Sequence, residues 1–331
     1  MEDTLRSLRF RREREESWRR LEALLKKAEG GRTGGLSDED MIAIPSLYRA
    51  ALSSLSVARA TSLDAALIEY LEALCARAYF FVYGARSTLL ERVGKFFGHD
   101  WPRAVQSMWR ETLVSALLML AGAVAAYFLV LHDPEWFSSI MPDSLAEGRT
   151  PTATTEMLRD ALYSKPDDAS ILSVFATGLF THNAGISLFS FALGFAFCVP
   201  TAMLILDNGL TLGALTAVFA SHGLGFQFGG WVLIHGVTEL SAITLSGAAG
   251  MRIGWAIAFP GALSRVAAAA RAGRQGGVVM LGVIIMLFVA GLLEGFGRQL
   301  INEDWARYAI AGTTALLWGL YFYLPRRMSD G

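Results

Sequence analysis

His235 and Glu239 stand four residues apart in the stretch HGVTEL, and Glu294 and Arg298 repeat that spacing in EGFGR. Side chains four apart share one face of an α-helix. An imidazole beside a carboxylate can relay protons, supply part of a metal coordination set, or lock one helix against the next by hydrogen bonding. The locking role asks for least, because a metal needs a third and a fourth ligand and His222 is the one nearby candidate. Glu294 and Arg298 read as a simple ion pair near the end of an apolar span. The motifs HExxH and GxSxG are absent from the chain, so protease and lipase chemistry gain no support. The expectation is a non-enzyme with no catalytic residue, no metal and no cofactor.

These residues belong to a wider set of polar groups set in apolar sequence. Asp207, Asn208, His222, His235, Glu239 and Glu294 form a candidate intramembrane polar cluster, with His182, Asn183, Gln227, Arg252 and Arg298 also present. An ionisable side chain at mid-bilayer costs at least ~2.5–3.5 kcal/mol, so such groups should face the bundle interior, water or the interface. Glycine is the second signal, with 33 in the chain. Gly209 and Gly213, Gly225 and Gly229, Gly250 and Gly254, and Gly291 and Gly295 are each four apart, a spacing that lets helix backbones approach closely in lipid. They are the expected packing glycines.

The elements that must hold these groups are apolar helices. The 331 residues are 53% hydrophobic and 18% charged, below the quarter usual for a soluble domain. Of the 29 Lys and Arg residues, 18 fall within the first 111 positions. The two parts of the chain therefore suit different media. Apolar runs predict spans at 112–131, 183–206, 210–226, 231–259, 278–296 and 306–324. Basic residues follow the fourth span (Arg265, Arg271, Arg274) and the sixth (Arg326, Arg327), while segment 132–170 is acidic. The positive-inside rule then places both termini in the cytoplasm of a bacterial inner membrane and the acidic segment outside. A re-entrant hairpin of spans three and four is the alternative.

Residues 1–93 read as a cytoplasmic helical domain of three helices, the second opened by Ser37 and the acidic run Asp38, Glu39, Asp40. Residues 94–111, with Phe96, Phe97, Trp101 and Trp109 among Lys95, Arg103 and Arg110, read as an interfacial elbow suited to the headgroup layer. Residues 112–331 are the transmembrane bundle, with an extracytoplasmic segment at 132–182 whose end, Ile171 to His182, is an amphipathic or membrane-lying helix. The first fourteen residues are charged and lack an apolar core, so internal spans are expected to drive insertion. Cys75 and Cys198 suggest neither a disulfide nor a zinc site. A net charge of −1 gives no case for nucleic acid. The fold class is all-α: a polytopic bundle of about six transmembrane helices behind an N-terminal cytoplasmic domain.

Several segments together resemble the stage II sporulation protein M family. They are RRER with Trp18 and LEALL (Arg11 to Leu25), LSDED onward (Leu36 to Ala60), FFGHDWPRAV (Phe96 to Val105), LDNGLTLGAL (Leu206 to Leu215), HGVTELSAITLSGAAG (His235 to Gly250), FPG followed by Arg265, and EGF (Glu294 to Phe296). The resemblance implies a membrane protein that anchors or recruits, since founding members act in engulfment during spore formation beside peptidoglycan-degrading partners. The chain departs from those members in its N-terminal domain. The expected function is a non-enzymatic scaffold that organises an envelope-associated complex, with a transporter or channel for an ion or small solute as the alternative. Expected partners are membrane lipid and envelope proteins, met through the cytoplasmic domain and segment 132–170. A second copy of the chain is a further candidate partner.

Overall fold

The structure, a computed structural model, describes residues 2–29, 36–61, 64–83, 88–163, 169–297 and 301–324, and every regular element among them is helical. The chain divides into two compact units, residues 1–92 and 93–331.

The first unit is built from α1 (Glu2–Glu29), α2 (Asp38–Ala60) and α3 (Ala65–Tyr83). Ser37 caps α2 as its sequence demands: its hydroxyl accepts from the Asp40 amide while the Asp40 carboxylate accepts from the Ser37 amide, satisfying two donors that a helix start leaves open. The helix then continues through Pro45. Apolar positions at helical spacing meet in one core, where Trp18, Leu21 and Leu25 face Ile44, Tyr48 and Leu55 of α2 and Leu71 and Leu74 of α3. Its rim is polar, with Arg59 on Glu72 at 2.7 Å and the Tyr70 hydroxyl donating to Glu22 at 3.1 Å.

In the second unit a short helix α4 (Leu89–Lys95), a π-helical turn (Phe96–Asp100) and α5 (Trp101–Ser107) lead into α6 (Trp109–His132). Three short helices follow, α7 (Trp136–Ile140), α8 (Asp143–Ala146) and α9 (Thr155–Tyr163). Long helices then make up the rest: α10 (Ala169–Ala192), α11 (Val199–Ser221), α12 (Gly225–Ala258), α13 (Arg265–Leu292) and α14 (Asp304–Tyr323). Among the described residues, five helices are long and apolar enough to cross a membrane: α2, α6, α11, α12 and α13 carried on to Gly295. The helices α10 and α14, of 24 and 20 residues, have the length of a span. The central helix is α12, which packs on α6, α10, α11, α13 and α14.

Three expectations are corrected here. The apolar run 183–206 is not one span, because the chain breaks between Leu193 and Cys198 through a 3-10 turn and left-handed φ at Phe197 and Cys198. The third predicted span, 210–226, is misplaced: its helix α11 covers Val199–Ser221, and α12 already begins at Gly225. Residues 171–182 are no separate membrane-lying helix, since α10 runs unbroken from Ala169. A fourth correction concerns the elbow. Trp101 does not face headgroups; it is 1% exposed and packs against Trp318, Tyr321 and Phe322 of α14, over Gly282 of α13 where any side chain would collide with its ring. Trp109 is 53% exposed, with the Arg110 guanidinium over its ring.

Segment 133–163 is a folded cap. Phe137, Met141, Ala146, Leu158 and Leu162 bury themselves against Val130 of α6, Val218 and Phe219 of α11, and Phe228 and Trp231 of α12. Its charged side chains Glu135, Glu147, Glu156, Arg159 and Asp160 remain exposed. An amphipathic segment with its polar face outward and its apolar face on the helix ends is the arrangement its alternating composition requires.

Candidate functional site

The α12 helix carries His235 and Glu239 on one face, one turn apart, as the spacing predicts. Facing them is Glu294, from the π-helical turn Leu293–Gly297 that ends α13. The three side chains converge, so that one ligand atom from each lies within 4.8 Å of the other two. Among the described residues they form the one such grouping of His, Cys, Asp and Glu. His235 and Glu294 are 6% and 5% exposed, and Glu239 is half-buried. His235 Nε2 lies 3.6 Å from Glu294 Oε1, longer than a hydrogen bond. Trp231, one turn before His235, sets its ring edge-on to the imidazole at 6.2 Å. A π-turn adds a residue to its helical turn and so re-aims the side chains on it, which is how Glu294 comes to face α12. Next door, Trp318 Nε1 of α14 donates to Thr238 Oγ1 at 3.1 Å.

The remaining expected site residues lie elsewhere. Asp207 is exposed and Asn208 half-buried on α11. His222, proposed from sequence as the third group beside His235, sits instead at the end of α11, where its Nδ1 lies 2.8 Å from the Val218 carbonyl oxygen. Glu294 was expected to pair with Arg298, which lies outside the described residues; Glu294 itself is buried beside His235.

Of the expected packing glycines, two pairs lie at backbone crossings. A Cβ on Gly209 or Gly213 would overlap the carbonyl oxygens of Met119 and Ala123 on α6, and one on Gly122 would overlap that of Leu206 on α11. Likewise Gly250 and Gly254 meet Ser190 and Cys198, with Gly194 against Gly250 in return. Gly229 faces only the Tyr308 hydroxyl, and Gly225 the Ala220 of its own turn. Gly291 is half-buried and Gly295 buried.

Sequence reading missed a second buried polar knot, where the cap meets the start of α14. Arg307 is fully buried. Its Nε donates to Ile301 O at 2.8 Å, its Nη2 to Leu162 O at 3.3 Å and its Nη1 to Asp304 at 3.4 Å. Its guanidinium lies 5.1 Å over the Tyr163 ring, whose hydroxyl donates to both Asp304 oxygens at 2.9 Å. Burial first, and then this carboxylate, push the Tyr163 phenol up to about 12. At the opposite end of the bundle Arg252 of α12 holds Glu111 of α6 at 2.7 Å.

Two adjoining clefts open on the side of the bundle, with volumes of about 310 and 490 Å³. The first is lined by residues such as Tyr127, Phe128 and Leu233, the second by Leu120, Val237 and Phe322, and Leu240 borders both. None of His235, Glu239 and Glu294 lines either cleft.

Long apolar helices packed on glycine, with charged groups paired inside, define an all-helical polytopic membrane protein. A family model described as Stage II sporulation protein M matches residues 115–297, more than half of the chain. The chain belongs to the stage II sporulation protein M family. Residues 8–84 match a second model, a domain of unknown function (DUF8413). No curated protein and no solved structure matches the chain.

Proposed function

We propose that the chain is a non-enzymatic membrane scaffold of the bacterial inner membrane that anchors an envelope-associated protein complex. The cap carries this reading. It is pinned to the bundle by its buried apolar face and by Arg307, yet Trp136, Leu145 and Met157 stay 46%, 37% and 57% exposed among its charges. Large apolar side chains ringed by polar ones on a rigid platform suit a protein partner. In this reading the acidic cap lies outside and both termini lie in the cytoplasm, where residues 1–92 meet a second set of partners.

A transporter would need a polar route along the bundle. The apolar lining of the two side clefts and the backbone-close glycine crossings favour the scaffold instead.

Two experiments test this. A photo-crosslinking residue at Trp136 or Met157 in native membranes should capture a discrete partner, and one at Leu117 on the outer face of α6 should give lipid adducts; identical product patterns at both places would refute the docking platform. With Cys75 and Cys198 replaced, a cysteine at Glu147 should react with a membrane-impermeant maleimide in intact cells and one at Arg274 should not. The reverse pattern would overturn the orientation.

A further inference from the structure

We propose that His235, Glu239 and Glu294 form a binding site for a divalent first-row transition-metal ion, which ties α12 to the π-turn of α13. This goes beyond a scaffold role and does not depend on it.

The distances speak first. The 3.6 Å between His235 Nε2 and Glu294 Oε1 is too long for a hydrogen bond. It is close to the edge of a tetrahedron whose centre lies ~2.0–2.1 Å from each ligand, an edge of about 3.3 Å. Glu239 completes the set: one ligand atom from each of the three residues lies within 4.8 Å of the other two.

The donor set speaks second. One imidazole and two carboxylates from facing helices repeat the way bundle proteins build metal sites from inward-pointing Glu and His. A mixed nitrogen and oxygen set suits Zn²⁺, Mn²⁺ or Fe²⁺ rather than thiophilic ions. Three protein ligands leave a fourth position for water. A divalent ion would also match the charge of two ionised carboxylates in a medium where burying either alone is costly.

The backbone speaks third. Glu294 reaches α12 from a π-turn, an irregularity that concentrates at functional sites. The neighbouring Trp231 ring limits how far the imidazole can swing.

The test uses the full chain, purified in detergent and stripped with a chelator, then given Zn²⁺, Mn²⁺ or Co²⁺ alone. The folded wild type should keep about one equivalent of ion through gel filtration. Co²⁺ should show the absorption bands of a four- or five-coordinate site, and the melting temperature should rise by several degrees. His235→Ala and Glu294→Gln should each lose the retained ion and the thermal shift, while Glu111→Gln, which breaks the ion pair at the other end of the bundle, should keep both. Wild-type protein that retains no ion overturns the proposal. Undiminished retention in both site variants also overturns it, because the ion then sits elsewhere. Should neither variant fold, pulsed electron resonance on Mn²⁺-loaded wild type decides: one coupled imidazole nitrogen supports the site, and none refutes it.

Discussion

The two units of the chain are both helical, yet they are held together by opposite means. In residues 1–92 large side chains fill the space between the helices: Trp18, Leu21, Leu25, Ile44 and Leu71 are at most 1% exposed. At the α6–α11 crossing of the second unit, glycine on one helix meets carbonyl oxygens of the other. Packing of the first kind is what water favours in general, because burying a large apolar side chain removes surface from it. Lipid gives no such gain, so helices there associate by close approach of small residues. On α6 the apolar bulk is turned outward, with Leu117, Leu120 and Phe128 53%, 59% and 63% exposed.

Substitutions should fall on the two sides of this contrast in opposite ways. The largest effect is expected from Gly213→Leu or Gly250→Leu, where the new side chain meets backbone that cannot move aside. Neither variant should yield monodisperse protein, whereas Gly277→Leu, facing open space, should purify like the wild type. Similar size-exclusion profiles for all three would dissolve the contrast. Next comes Trp18→Ala, which should cost roughly 3–5 kcal/mol in the first unit, read by denaturant unfolding. A change under about 1 kcal/mol there would show that the first unit does not rest on its large side chains.

Arg307→Leu should cost about 3 kcal/mol by stranding the Asp304 carboxylate and the Leu162 carbonyl, and should expose the cap to protease. Tyr163→Phe removes one hydroxyl and should cost about 1.5–3 kcal/mol, the range for a hydrogen bond to a charged group. Its pH dependence has a definite sign. The phenol is pushed up to about 12 from its ordinary 10.0, so its stabilisation is complete below pH 10 and is lost as pH rises toward 12. Wild type and Tyr163→Phe should therefore converge in stability across that window, and parallel curves would contradict the Tyr163–Asp304 bond. The smallest effect is a gain. Gly277→Ala on the open face of α13 should stabilise by up to ~1 kcal/mol through helix propensity alone.

The same contrast explains how far the sequence could be read. Periodicity located the long helices, and the Ser37 capping box marked the start of α2. Four-residue spacing found Gly209, Gly213, Gly250 and Gly254, since it reports neighbours on one helix. It could not find Gly122, Gly194 or Gly282, whose partners lie on other helices. The approach of Glu294 to His235 was hidden for the same reason: it depends on a helix crossing and a π-turn. The break at 193–198 hid inside an apolar run because glycine and left-handed backbone make it, although Pro200 at the start of α11 was a usable signal. Trp101 sits among basic residues, and nothing local records that α13 offers a glycine opposite it.

The central helix has one more consequence. At 34 residues and 1.5 Å per residue, α12 is about 51 Å long, while the hydrocarbon layer is about 30 Å thick. A tilt of 20–40°, the range helices adopt, cannot hide the excess, so part of α12 stands in the headgroups or beyond. Trp255 and Phe259, 60% and 64% exposed at its far end, are side chains that settle at that boundary. A bilayer a few ångströms thicker or thinner then moves the waterline along α12 without stretching the contacts between helices. Reconstituted in lipids of increasing chain length, the protein should keep one melting temperature while Trp255 fluorescence shifts to the blue.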